Sequence, residues 1–372
     1  MNTTTPDPAS PPVRAVDPEF WRERRVLITG HTGFKGAWLA LWLQSLGARV
    51  SGFAVGVPTR PSLYEVARVE EGLQSISGDV REFDALAAAL EAVRPEVVIH
   101  MAAQSLVRRS YVCPRETYEV NVMGTVNLLE AVRGRPEVRA VLNVTSDKCY
   151  ANREWEWAYR EDDRLGGHDP YSSSKGCAEL VTGAYRDSFF AIHDGPRLAS
   201  ARAGNVLGGG DWSEDRLLPD LMRGALDGQS VEVRNPQSVR PWQHVLNPLG
   251  GYLQLIQALW SSERYVGGWN FGPGERDCQP VLTVVEWLTD LWPESLPWVD
   301  ASGRHADQSH EAHQLRLDSA RARKRLHWRP GWELRGGLQA LVDWYRALQA
   351  GEDMRVVTLG QIDAFQRALT PA

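Results

Sequence analysis

The chain reads as an α/β protein: a doubly wound parallel sheet with a smaller carboxyl-terminal region beside it. Three observations predict this. A short apolar run, Arg25–Thr29, leads through a glycine-rich turn into an apolar helix pattern. Apolar strand-length runs then alternate with helix-length amphipathic segments as far as Arg202. A polar cluster, Ser146-Asp147-Lys148, follows one of those runs directly, at the carboxyl end of a strand, where open α/β sheets bind ligands.

The elements follow in order. After Arg25–Thr29 comes Gly30-His-Thr-Gly33-Phe34-Lys35-Gly36, then a helix bearing Trp38, Leu39, Leu41, Trp42 and Leu46, with Gly47 as its stop. Glycines spaced in this way permit a tight turn and let a pyrophosphate approach the helix N-terminus. Gly30, Gly33, Phe34, Lys35 and Gly36 are therefore candidate dinucleotide contacts. The spacing is Gly-x-x-Gly-x-x-Gly rather than Gly-x-Gly-x-x-Gly. A second strand, residues 48–54, should end in an acid that meets ribose hydroxyls. It ends Ser51-Gly52-Phe53-Ala54 instead, which leaves NAD and NADP undecided; Lys35 and Arg60 read either as phosphate contacts or as solvated cations. Asp79 follows the next strand and is placed either to meet an adenine amino group or to cap a helix.

Residues 96–103 read as a buried strand ending in the small residues Ala102 and Ala103, which would let a cofactor come close. Residues 121–132 read as a helix opening on Asn121, a candidate cofactor contact, and 139–145 as the strand that delivers Ser146. Another strand, 198–202, leads into Ala203-Gly-Asn205. The pattern then loosens. Arg216, Arg234 and Arg240 lie in a segment with several prolines and glycines, and guanidinium groups suit phosphates. Residues 249–260 read as a helix and 269–273 as a strand end. The division expected is a disordered, proline-rich tail over 1–20 and a dinucleotide-binding domain over 21–210, to which 240–275 return. A substrate-binding region would occupy 211–239 and 276–350, and a polar tail helix 351–372.

Composition narrows the classes. A chain of 372 residues with 43% hydrophobic and 24% charged residues can bury sizeable cores in two or three domains. A net charge of -6 argues against a nucleic-acid partner. No apolar run approaches membrane-span length, and the first residues lack a signal peptide's apolar stretch, so a cytoplasmic location is expected. Cys113, Cys149, Cys177 and Cys278 have no paired spacing and are expected as free thiols. His305, His310 and His313 cluster, but no cysteine or carboxylate pattern completes a metal site, so no metal is expected. The 15 tryptophans read mostly as packing.

The chemistry centres on Gly167–Glu179, GHDPYSSSKGCAE. Tyr171 and Lys175 are four residues apart, which on a helix places them on one face. An ammonium beside a phenol favours the phenolate, so Lys175 is expected to lower the Tyr171 pKa and fit it to take a proton from a hydroxyl.

These segments together resemble the extended short-chain dehydrogenase/reductases. Within that family they are similar to the sugar-nucleotide 4,6-dehydratases that act on CDP-glucose. The resemblance runs from about Arg24 to Ala347 and rests on TGHTGFKG from Thr29, HMAAQSLVRRSY from His100, NVMGT from Asn121 and VTSDKCY from Val144. It rests equally on GGHDPYSSSKGCAE from Gly166, RAGNVLGGGDW from Arg202 and RPWQHV from Arg240. It implies NAD as cofactor and CDP-glucose as substrate. It also implies a homodimer joined through helices of the cofactor domain.

The resemblance further implies catalytic roles for Ser146, Asp147, Lys148, Tyr171 and Lys175, with Ser146 holding the reacting hydroxyl, Asp147 as acid and Lys148 as base. Those last roles require a protonated carboxyl and a neutral amine near pH 7; burial favours both states and their mutual attraction opposes both. Asn205, Arg216 and Arg240 are expected at the substrate diphosphate. Related dTDP-glucose dehydratases carry Thr-Asp-Glu where this chain has Ser146-Asp147-Lys148, and epimerases of the fold generally lack the acid–base pair. The competing readings are another sugar-nucleotide dehydratase or an epimerase, a dinucleotide-binding regulator without chemistry, and an interaction protein. No short motif reads cytosine.

Overall fold

In the computed structural model of the chain, residues 16–191, 195–294, 296–302 and 314–369 are described. Six strands form in chain order: β1 (Arg25–Thr29), β2 (Arg49–Ala54), β3 (Gln74–Ser77), β4 (Val97–His100), β5 (Ala140–Val144) and β6 (Arg197–Arg202). With a further strand, Gly267–Asn270, they make a seven-stranded sheet among the described residues. From that strand the order runs β6, β5, β4, β1, β2, β3, and every pair is parallel. The doubly wound sheet expected from the sequence is the fold found.

Both faces are covered, which is why the strands read as continuous apolar runs. Strand alternation divides the core. Val26 and Ile28 of β1, with Val97 and Ile99 of β4, pack on one side with Trp38, Trp42 and the helix Leu246–Ser261. Leu27, Val98 and Val141 face the other side, with Leu86, Leu90 and Leu128 from the helices Phe83–Val93 and Gly124–Val132. Six tryptophans are among the largest fully buried side chains, consistent with their reading as packing.

Two features depart from the sequence reading. The amino-terminal tail was expected disordered through residue 20, yet Val16 is buried and Pro18–Trp21 is a helical turn capped by Asp17. Trp21 anchors it, its indole N–H donating to Gln257 Oε1 at 2.9 Å. The helix Met354–Leu369 is more than a polar tail. Met354, Ile362 and Phe365 are buried, and the Phe365 ring meets Trp42 and Trp332 edge-on at 5.6 and 5.3 Å. The histidine cluster 305–313 lies outside the described residues.

After β6 the chain leaves the sheet. Two-stranded pairings join Val231–Val233 with Trp298–Asp300, and Val239–Pro241 with Cys278–Pro280. The helices Leu217–Asp227, Val281–Leu291 and Leu334–Gln349 accompany them. Between these pieces, Leu246–Ser261 and Gly267–Asn270 return to the sheet.

Candidate active site

The carboxyl ends of β1, β4 and β5 converge on one edge of the sheet. After β1 the chain turns at Gly30, whose φ of +76° suits glycine, and whose absent Cβ would lie 2.8 Å from the Ala102 nitrogen. The turn feeds the helix Phe34–Ser45, whose N-terminus carries no side-chain cap, so its first amides remain to be satisfied. A Cβ on Gly36 would lie 2.1 Å from the Gly30 carbonyl oxygen, so that helix can sit on the turn only with glycine there. Open amides, a helix N-terminus and the small residues Ala102 and Ala103 form a cradle that fits a dinucleotide pyrophosphate.

The carboxyl end of β3 lies four strands from that of β5, about 19 Å away at ordinary strand spacing. Both oxygens of Asp79 there accept from Arg81, at 2.6–2.9 Å, and this pairing holds its carboxyl below the usual range. The exposed Arg60 lies 3.3 Å from Glu65.

Sequence reasoning missed how the β1–β4 edge is held. The Thr29 hydroxyl lies 2.7 Å from His100 Nδ1 and accepts from the Met101 and Ala102 amides, both at 3.2 Å. Asn121, in a π-helical turn over Glu119–Met123, is buried with its amide engaged by protein. Its Oδ1 accepts from the Gln104 amide at 2.9 Å, and its Nδ2 donates to the Gln104 carbonyl and to Ser174 Oγ. Asn121 thus ties the segment after β4 to the helix bearing Tyr171.

That helix is Pro170–Tyr185, begun by Pro170 at its first position and capped by Asp169, which accepts from the Ser172 amide at 2.9 Å. Tyr171 and Lys175 are buried on its inner face. Ser146 ends the run from β5. Its Oγ donates to Asp147 Oδ1 at 3.0 Å and accepts from the Lys148 amide at 3.2 Å, and it lies near enough to the Tyr171 phenol to favour its ionised form. Ser146, Asp147, Tyr171 and Lys175 are therefore gathered in one buried cluster, with Lys148 half-buried at its edge.

The electrostatics correct one expectation. Burial pushes Tyr171 up to about 12, where a lowered value was expected, and Ser146 and Arg216 oppose this only in part. Burial also lowers Lys175 to about 8, so the ammonium is itself close to giving up its charge. Desolvation outweighs the charge pair that helix spacing suggested. Asp147 is raised by burial, against the opposing pull of Lys148, Ser146 and Arg240, which is the direction an acid at neutral pH requires.

Lys35 reaches inward. Its Nζ donates to the Tyr252 hydroxyl at 3.2 Å, and burial with the nearby charges of Lys175 and Arg216 lowers it to about 7. Arg216 bridges two segments, lying 3.4 Å from Asp211 and 3.3 Å from Ser105 Oγ. Arg240 is half-buried and acts on the Asp147 carboxyl; Asn205 is half-buried beside Gly204. Tyr252 and Ser105 escaped the sequence reading because nothing local marks them. Among the described residues, no group of three or more His, Cys, Asp or Glu is placed to hold a metal ion.

A family model described as GDP-mannose 4,6 dehydratase matches residues 27–263. The chain belongs to that family. The match spans the whole dinucleotide cradle and the Tyr171 helix. The CDP-glucose 4,6-dehydratase of Salmonella typhimurium is 49% identical to this GDP-mannose 4,6-dehydratase family member over 360 residues, covering 95% of this chain and 99% of its own. Among solved structures, a UDP-glucose-4-epimerase from Stenotrophomonas maltophila superposes with a TM-score of 0.76 at 20% identity, covering 88% of this chain and 99% of that one. A dTDP-glucose 4,6-dehydratase from Streptomyces venezuelae gives 0.75 at 23%, covering 89% and 99%. At those identities the superpositions speak to the fold, which the dehydratase and the epimerase share.

Proposed function

We propose that the protein converts CDP-glucose to CDP-4-keto-6-deoxyglucose, with NAD held in the cradle as an internal hydride carrier. The observation that carries this reading is the buried Ser146–Asp147–Tyr171 cluster, in which an acid of raised pKa accepts from the serine that lies beside the tyrosine. An epimerase exchanges a hydride at C4 and has no use for that acid. The relative 49% identical along nearly the full length of both chains supports the choice of base.

Gly30, Gly33, Phe34, Gly36, Ala102 and Ala103 would hold the dinucleotide, with Lys35 as the cation beside its diphosphate and Asp79 at the adenine end. Asn121 contributes by fixing the wall of the cradle. Bound there, NAD would supply the hydride acceptor and donor and a cationic ring that favours the Tyr171 phenolate.

The chain's own groups handle protons. Ser146 holds the sugar C4 hydroxyl and Tyr171 takes its proton, with Lys175 as the neighbouring cation. The ketone at C4 makes the C5 hydrogen acidic. Lys148 removes that proton, and Asp147 gives its own to the C6 hydroxyl, which leaves as water; return of the hydride at C6 and of the Lys148 proton at C5 would complete the deoxy sugar. Asn205, Arg216 and Arg240 would bind the substrate diphosphate.

We place the reaction in the cytoplasm, in keeping with four unpaired cysteines, and its product among the deoxysugar precursors of bacterial surface polysaccharide, such as lipopolysaccharide. No helix among the described residues is long and apolar enough to cross a membrane. The working form would be a homodimer, since Val112, Met123 and Leu180 expose 80, 50 and 63% of their surface on neighbouring helical segments.

Purified protein incubated separately with CDP-glucose, dTDP-glucose and UDP-glucose tests the reading. The expected result is loss of water from CDP-glucose first and fastest, seen by mass and by keto-sugar absorbance. A product of unchanged mass, or no reaction with any of the three, would overturn it.

A further inference from the structure

Behind the catalytic cluster lies a buried ion pair that the proposed chemistry does not use. Glu179 stands one helical turn beyond Lys175 and two beyond Tyr171, so the three share a stripe of the Pro170–Tyr185 helix. Its Oε1 accepts from Thr145 Oγ1 at 2.5 Å, and its Oε2 from Ser200 Oγ at 2.6 Å and Arg202 Nη2 at 2.7 Å. The Arg202 and Glu179 side chains are only 5 and 3% exposed. The second Arg202 nitrogen donates to the Tyr150 hydroxyl at 2.7 Å, and that hydroxyl donates to Asn270 Oδ1.

Both ends of the pair lead to the active site. Thr145 directly precedes Ser146. Arg202 directly precedes Ala203, whose carbonyl accepts the Asp147 amide at 3.2 Å, and Gly204, where a Cβ would lie 2.7 Å from Asp147 Oδ2. A buried ion pair is weak support for stability, because desolvation consumes most of its attraction. What this one does is tie three elements together: the helix bearing Tyr171 and Lys175, the strand end bearing Ser146 and Asp147, and the strand backing Asp147.

We propose that Glu179 and Arg202 form a positioning unit that locks the Ser146–Asp147–Lys148 strand end to the Tyr171–Lys175 helix, so that both proton-handling groups meet one substrate in fixed register. The unit also acts on charge. Glu179 favours the ammonium of Lys175, against burial and against Lys35; Cys149 and His100 are the other titratable groups facing that amine.

The inference rests on the dehydratase reading, so its test needs one measurement that does not. Thr145→Val leaves the ion pair whole and removes its bond to the strand end, along with a 3.5 Å contact from the Thr145 hydroxyl to the Ala201 carbonyl. The double variant Glu179→Leu/Arg202→Met replaces the pair with apolar groups, a change that buried pairs tolerate. Glu179→Gln removes the charge alone. Thr145→Val should lower kcat about tenfold and the double variant about a hundredfold, on the scale expected for misplacing reacting groups by an ångström, with KM and bound NAD within about twofold of wild type.

Glu179→Gln should shift the alkaline limb of the kcat profile to lower pH, and Glu179→Asp should restore part of it. Amide exchange over residues 145–150 should quicken in Thr145→Val whatever the enzyme turns over. Unchanged exchange, a kcat within twofold of wild type, or a loss carried by KM or NAD content would each overturn the proposal. Should wild type prove inactive on every nucleotide-linked glucose, the functional reading fails, and exchange in Thr145→Val alone decides the positioning role.

Discussion

Replacing Asp147 by asparagine removes one proton and almost nothing else. The side chains are the same size, Asn can still accept from Ser146 Oγ at the 3.0 Å contact, and the group is buried against Gly204. An amide cannot deliver the proton that the departing C6 hydroxyl needs. A positioned general acid contributes roughly 10²–10⁴ in rate, equivalent to about 3–5 kcal/mol of barrier, so keto-sugar formation should fall by about that factor. Proton removal at C4 rests on Tyr171, Lys175 and Ser146 and should persist.

Stability should move the other way. Burial raises the Asp147 pKa above its unfolded value, so its contribution is full at low pH and is lost as pH rises through the folded value. Asp147→Asn escapes that loss and should be no less stable than wild type at pH 8. Rapid-quench mass analysis of the sugar, dinucleotide absorbance within a single turnover, and thermal melts read the three effects. Keto-sugar formation within about tenfold of wild type, or simultaneous loss of C4 oxidation, would refute the assignment of Asp147 as the acid.

Further expectations follow from the same site and fold. Arg240→Ala should raise the KM for CDP-glucose at least about tenfold, the scale of a lost charged hydrogen bond, while NAD content stays constant; an unchanged KM removes Arg240 from the diphosphate site. Acid should destabilise the protein through its buried histidines. His100 and His244 are held neutral, with burial lowering each to about 3, while the unfolded chain protonates them near 6.5, the ordinary value for histidine. Stability is therefore full above that value and falls as pH drops toward 3, by about 1.4 kcal/mol per pH unit for each histidine. Urea midpoints at pH 7 and 5.5 check this, and His244→Gln should lessen the slope by about one proton. Val112→Glu with Leu180→Glu should leave a folded monomer on size-exclusion chromatography with light scattering; a persistent dimer would place the interface elsewhere.

Local sequence determined much of the architecture because its signals are local. The run into Gly30, the cap and proline before Tyr171, and the apolar strands each specify backbone over a few residues. Ser146-Asp147-Lys148 could be placed at a strand end for the same reason. What depended on distant partners was not legible. Asn121 reads like a ligand contact, but its amide binds Gln104 and Ser174, 17 and 53 positions away. Lys35 reads either as a phosphate contact or as a solvated cation, and only the fold shows Leu246–Ser261 bringing Tyr252 to it across 217 positions.

The Tyr171–Lys175 spacing was correct and its electrostatic consequence was not. Four residues along a helix fix which face two groups share, whereas a pKa depends on how much water the whole fold removes from them. Composition and periodicity thus determined which backbone forms and which residues line one edge of the sheet. Tertiary structure decided their protonation, through burial and the charges of side chains remote in sequence.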